Sequence, residues 1–250
     1  MERLLTCAMD IGEQLLISGA EVHRVEESIC RMCSAFGFQR TDVFIITSSM
    51  VVTAYDDDNT PYTQTRRITT TTVDIERIHR LNALSRKICA QPMTETEIRD
   101  HLAIALSNKT YPFWVEFLCY GGIAGAFTLF FGGTWIEALI SLLTGFIVYV
   151  GISICNKAVP GSIFAKFISA AIATALAYGA VQLHWIGKVD MIIIGNIMTL
   201  IPGIGLTVAL RDLFTGDSIA GLLRTIEAVL TALAIAAGYF LVAALGGFAL

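Results

Sequence analysis

Residues 196–207 read Asn-Ile-Met-Thr-Leu-Ile-Pro-Gly-Ile-Gly-Leu-Thr, a polar, helix-breaking passage inside a charge-free run over residues 191–210. Pro202 offers no backbone donor and its ring clashes with the preceding turn, while Gly203 and Gly205 loosen the backbone after it. A helix interrupted there restarts with free amides. Free amides backed by the positive end of a helix dipole hold an anion such as a carboxylate. Asn196, Thr199 and Gly203 fall on one helical face, and Thr207 adds a further hydroxyl one turn on. The candidate binding set is Asn196, Thr199, Pro202, Gly203, Gly205 and Thr207. The plainer alternative is a proline kink with no ligand.

Charge returns at Arg211-Asp212, then at Asp217, Arg224 and Glu227, a candidate set for coupling or gating. At 1.5 Å per residue Glu227 lies roughly 15 Å beyond Asp217, near the middle of a bilayer, where a carboxylate is costly unless it faces protein or water. It would be the protonatable group, with Arg224 biasing its charge; a structural Arg224–Glu227 ion pair is the alternative. Glu116 and Glu137 lie nearer span ends. Other clusters are weaker. Cys30-Arg31-Met32-Cys33 with His23 lies within a predicted helix and has no second ligand pair at zinc spacing. Asp56-Asp57-Asp58 lacks the Gly and Glu of a calcium loop. His79, His101 and Ser85 come without a nucleophile-elbow sequence. No catalytic set, metal site or cofactor is expected.

The elements that must position these residues divide sharply. Residues 1–112 hold 12 Lys+Arg and 15 Asp+Glu, whereas residues 113–250 hold only 5 and 6. The first part is built for water and the second for lipid. With 55% hydrophobic and 15% charged residues overall, one soluble core is excluded, and no basic cluster suggests nucleic acid. The six scattered cysteines suit a reducing compartment, and the N-terminal apolar stretch, cut by Asp10 and Glu13, is not a signal peptide. Residues 1–110 predict an α+β domain. Helices fall near 3–17 and 19–36, two strands lie in 41–55 around Ser48-Ser49, a third covers 63–72, and helices follow near 74–90 and 95–108. Ser18/Glu21 and Thr94/Glu97 read as capping boxes.

Residues 111–250 predict a domain of about five transmembrane helices, near 113–131, 135–154, 163–183, 189–210 and 218–245, the fourth discontinuous. Trp114, Trp135 and Trp185 fall near span ends. Small residues (Gly121, Gly125, Gly145, Gly151, Ala170, Ala171, Ala175, Gly179) predict close helix contacts. The expected fold is thus an α-helical polytopic membrane protein with an N-terminal α+β cytosolic domain. Lys157, Lys166, Arg211 and Arg224 share a side with that domain and only Lys188 lies opposite, so the positive-inside tendency predicts a cytoplasmic N-terminus and Leu250 outside. An odd span count also suits inverted-repeat transporters, in which a second half completes the site.

Ile201-Pro202-Gly203-Ile204-Gly205-Leu206-Thr207, Arg211-Asp212-Leu213, Gly216-Asp217, Gly221, Arg224 and Glu227, with Ser18-Gly19-Ala20-Glu21-Val22-His23-Arg24-Val25-Glu26, resemble the threonine/serine exporter family over nearly the whole chain. The resemblance implies a multi-pass protein of the cell (inner) membrane. It also implies the longer member of a two-subunit bacterial system, partnered by a small multi-span subunit. The expected activity is export of a small carboxylate-bearing metabolite, threonine or serine or a dicarboxylate such as succinate, and the protein is not expected to be an enzyme. A membrane-tethered enzyme, with hydrolase-like chemistry in residues 1–110, and a membrane sensor are the competing classes. An anchor for such an enzyme needs no broken helix.

Overall fold

The computed structural model describes residues 1–107, 111–158 (backbone alone at 157 and 158), 163–186 and 189–246. The Lys157 side chain, Lys188 and Leu250, which entered the orientation argument, lie outside the described residues. The chain forms two compact units, one of residues 1–109 and 203–226, the other of residues 110–202 and 227–250.

In the first unit, α1 (Glu2–Ile17) buries Leu5, Met9, Ile11, Leu15 and Leu16 on one stripe, against Ile29 and Met32 of α2 (Val22–Ala35). Each fully buried side chain of this size contributes about 1.5–3 kcal/mol. β1 (Arg40–Ile46), β2 (Ser49–Tyr55) and β3 (Pro61–Arg67) form an antiparallel sheet in that order. Met50, Val52 and Ala54 alternate into the core from the central strand. The hairpin turn falls at Thr47-Ser48, because Ser49 already pairs with Ile46. Pro61 opens the edge strand β3, where its missing donor is tolerated. The two helices α3 (Ile75–Ala90) and α4 (Glu95–Leu106) complete this layer. Asp74 caps the first, and the Thr94/Glu97 box forms as expected on the second.

The Ser18/Glu21 box does not form. The Ser18 hydroxyl donates to the Gln14 carbonyl at 2.7 Å, α2 begins at Val22, and its cap residue Glu21 makes no side-chain capping bond. Gly19, at φ +87°, turns the chain between the two helices. Also in this unit are α9 (Gly203–Thr215) and the first turns of α10 (Ser218–Leu245). A methyl group at Gly221 would lie 2.8 Å from the Leu213 nitrogen and 2.9 Å from the Ala209 carbonyl, so α9 and α10 meet backbone to backbone.

The second unit holds α5 (Phe113–Phe130), α6 (Trp135–Ala158), α7 (Ile163–Gln182), α8 (Asp190–Ile197) and the rest of α10. Segments Phe113–Phe130, Trp135–Asn156, Ile163–Gln182 and Ser218–Leu245 are long and apolar enough to cross a membrane, with mean hydropathy from 1.4 to 2.3. Trp114 and Trp135 are exposed at the starts of α5 and α6. Such helices have no use for water on their outer faces; the protein is a mostly helical, multi-pass membrane protein with a small N-terminal sheet. Packing is tight where small residues allow it. At Gly145 a methyl group would come within 3.0 Å of the Gly121 Cα, and Gly195 of α8 presses on the Ala124 carbonyl of α5.

Candidate functional site

The fourth hydrophobic segment is two helices, α8 of 8 residues and α9 of 13, separated at residues 198–202. α8 closes with tight bonds from Thr199 to Asn196 and from Leu200 to Ile197. Pro202 cannot continue the ladder and excludes the helical carbonyl four residues before it. The interruption therefore precedes Pro202, and Gly203 to Gly205 form the first turn of α9 instead of the break itself. One helical face does not run unbroken from Asn196 to Gly203. A methyl group at Gly203 would meet nothing within 4 Å, so the α9 amino end is open to close approach. The Thr207 hydroxyl donates back to the Gly203 carbonyl at 3.0 Å.

Asn196 is fully buried in the second unit. Its Nδ2 donates to the Ser141 hydroxyl and the Ile192 carbonyl, both at 2.9 Å. The Ser141 hydroxyl donates to the Ala124 carbonyl at 3.1 Å, and that of Thr128 lies 3.2 Å from the Met191 carbonyl. This polar chain ties α5, α6 and α8 together. The Thr199 hydroxyl donates to the Asn196 carbonyl at 2.7 Å. The Asn196 Oδ1, in contrast, is buried with no hydrogen-bond partner among the described residues.

Arg211, Asp212, Asp217 and Arg224 belong to the first unit, where they meet the Ser18–Glu26 segment. Asp212 is fully buried, and its Oδ1 accepts from the Val22 amide at 3.2 Å, serving as the cap that α2 lacks from its own sequence. Its Oδ2 lies 3.3 Å from Arg224 Nη1, a charge contact without an aligned hydrogen bond. Arg224 Nη2 donates to the Ala20 carbonyl at 3.0 Å, and Arg211 pairs with Glu21 at 2.8 Å. The two stretches with family resemblance, far apart in sequence, are thus halves of one network. Arg224 pairs with Asp212 and not with Glu227.

Glu227 is exposed on α10. The second-unit part of α10 meets α7 where Gly238 approaches Phe167, Ala170 and Ala171, and Glu227 precedes Gly238 by roughly 16 Å of helix. Along the helix it is offset from that contact toward the Ser218 end. Glu116 accepts from the Tyr149 hydroxyl at 2.6 Å and Glu137 closes a capping box with Thr134, so both have local structural roles.

In α2, burial, and then repulsion from Asp217, raise the Glu26 pKa. The folded unit therefore holds that proton more tightly than the unfolded chain does. The resulting stability is fully present below the ordinary glutamate pKa and is lost as pH rises through the raised one. Glu26→Gln is accordingly expected to raise the melting temperature near pH 7, with the gain vanishing near pH 4. Parallel melts of the purified variant and wild type at the two pH values check this; an equal shift at both would remove the titration argument.

The remaining candidates have ordinary explanations. Cys33 is fully buried, and burial pushes its thiol up to about 12, far from a thiolate ligand. Asp56 closes its own turn, accepting from the Asp58 and Thr60 amides and the Tyr62 hydroxyl. His101 lies 2.8 Å from Lys87 Nζ, and among the described residues no three His, Cys, Asp or Glu side chains form a metal-holding group. A lone cation inside an apolar span, Lys166 carries a signal beyond orientation. Its Nζ donates to the Leu200 carbonyl, at the interruption, at 3.3 Å.

The profile of the family described as "Putative threonine/serine exporter" matches residues 6–246. The chain belongs to this family. It is similar to "Threonine/serine exporter" of Corynebacterium glutamicum, 26% identical over 244 residues, covering 94% of this chain and 50% of that protein. It is also similar to "Probable threonine/serine exporter" of Mycobacterium tuberculosis (strain ATCC 25618 / H37Rv), 22% identical over 238 residues, with 94% and 45% covered. The chain thus spans about half the length of the curated relatives it matches. No solved structure matches it significantly. An exporter family accounts for an interrupted apolar segment in a way that a membrane anchor does not.

Proposed function

We propose that this chain is the longer subunit of a two-subunit exporter in the cell (inner) membrane, moving a small carboxylate-bearing metabolite outward. Residues 1–110 form its cytosolic domain, residues 111–250 supply five spans with α8 and α9 as the discontinuous fourth, and Leu250 is outside. Reporter fusions at Leu250 read this orientation directly. The observation that carries the proposal is the interruption at residues 198–202, placed by Pro202 in a charge-free segment. The end of α8 carries Asn196 and Thr199, and the start of α9, with Gly203, Gly205 and Thr207, offers free amides that suit an anion. The odd span count, together with a match to half of longer relatives, supports a small multi-span partner as the second half. Glu227 is the titrating group that couples export to the proton gradient, with Arg211, Asp212, Asp217 and Arg224 fixing the α9–α10 turn beside it in sequence.

Proteoliposomes test the proposal. The co-purified pair should move labelled threonine, serine or succinate, this chain alone should not, and Glu227→Gln in the pair should flatten the pH dependence of flux. Full flux from the chain alone would remove the partner; a Glu227→Gln profile like that of wild type would make Glu227 structural. A pair that moves none of these substrates refutes the exporter reading.

A further inference from the structure

Lys166 lies one turn into α7, on the face that carries the buried residues Ala165, Ser169, Ala170 and Ala173 inward. That face packs with Leu200, whose side chain is fully buried. The residue is half-buried, and its ammonium turns toward the bundle and donates to the Leu200 carbonyl at 3.3 Å. That carbonyl belongs to the interrupted end of α8, where no following amide in the helix can serve it.

One carbonyl does not neutralise an ammonium. Two of its three donors remain, and among the described residues no carboxylate pairs with it. An unpaired cation within an apolar bundle is costly unless an anion or water answers it. Glu227 is not that anion, since it precedes the α7–α10 contact at Gly238 by roughly 16 Å of helix. Two further polar atoms of the same unit are buried without partners: the Ser169 hydroxyl, one turn along α7 from Lys166, and Asn196 Oδ1, one turn before Leu200 on α8. Native interiors leave few such atoms unsatisfied, and here one stands a helical turn from Lys166 and the other a turn from the carbonyl it meets.

We propose that Lys166 is the substrate-positioning cation of this protein: its ammonium, with the Ser169 hydroxyl, receives the carboxylate of the exported metabolite beside the end of α8. Asn196 Oδ1 accepts from a second group on the same molecule, an ammonium or a hydroxyl. This rests on the exporter reading, assigns the carboxylate to Lys166 in place of the first-turn amides of α9, and adds a specificity. A single cation facing an amide oxygen suits a hydroxylated or zwitterionic monocarboxylate. A dicarboxylate would need a second cation, which this set lacks.

The test is flux through the co-purified pair in phosphatidylcholine vesicles, with and without phosphatidylglycerol, for wild type, Lys166→Gln, Lys166→Arg and Ser169→Ala. Lys166→Gln should raise KM for threonine about tenfold or more, and Lys166→Arg should recover most of that loss. Wild-type flux should be inhibited far less by threonine amide, which has no carboxylate, than by unlabelled threonine. Lys166→Gln should erase that preference, whereas damage to folding alone would lower flux and leave the preference intact. An unchanged KM and preference in Lys166→Gln would overturn the assignment while leaving the exporter reading in place. A KM change that follows the phosphatidylglycerol content would assign Lys166 to a lipid phosphate instead. Succinate carried as well as threonine by wild type would overturn the monocarboxylate specificity. If the wild-type pair moves no carboxylate, the exporter reading fails and this inference fails with it.

Discussion

Asp212→Asn is expected to destabilise the first unit by about 1–3 kcal/mol, below the full cost of breaking a buried ion pair because burial raises the Asp212 pKa against the pull of Arg224. The asparagine can still accept from the Val22 amide, so α2 keeps its cap. What is lost is the charge facing Arg224, whose side chain is only 13% exposed. The Ala20 carbonyl alone would then answer a largely buried guanidinium. The second expectation separates charge from shape: Asp212→Asn with Arg224→Met should be more stable than Asp212→Asn alone, because it removes the stranded cation. Arg211→Ala, by contrast, breaks a pair with a half-exposed arginine and should cost no more than about 1 kcal/mol. Thermal unfolding of the purified variants, followed by intrinsic fluorescence, reads all three. A shift for Asp212→Asn no larger than that for Arg211→Ala would show that the network is ornamental.

That network also marks where sequence reasoning stops. The Thr94/Glu97 capping box was legible because every group it needs lies within one turn, and the antiparallel strands were legible from their β-branched runs and polar turns. At Ser18 the same local rule fails. The helix begins later, at Val22, whose amide is served by Asp212, 190 residues away, while the Ser18 hydroxyl bonds within α1. Residues 203–226 illustrate the same limit: their hydropathy reads as a span end and a span start, yet their contacts group them with residues 1–109. Pro202 announced the interruption, but not that the chain would leave the helix before the proline, since the clash falls on the preceding turn. For the candidate site, Asn196 was legible as a polar residue in an apolar run. Its partner Ser141 and the inward turn of Lys166 come from helix packing, which periodicity does not specify.

Asn196→Leu is expected to lower export at least about tenfold while costing the bundle little, and the contrast in magnitudes is what makes the result informative. The substitution removes the bond from Nδ2 to the Ser141 hydroxyl that ties α8 to α6. Hydrogen bonds between helices within membranes average about 0.6 kcal/mol and reach about 1.7, too little to unfold a unit whose helices are also held by close packing at Gly145 and Gly195. Leucine has nearly the same volume, so overpacking adds only a modest further cost. A large loss of export must then come from the Oδ1 acceptor, which no group among the described residues uses. Ser141→Ala supplies the control, because it breaks the same interhelical bond and leaves Oδ1 in place. Flux through the co-purified pair should therefore fall steeply for Asn196→Leu and stay within about twofold of wild type for Ser141→Ala, with similar small melting shifts for both. Equal flux losses in the two variants would assign Asn196 to the α6–α8 tie alone and take it out of the substrate path.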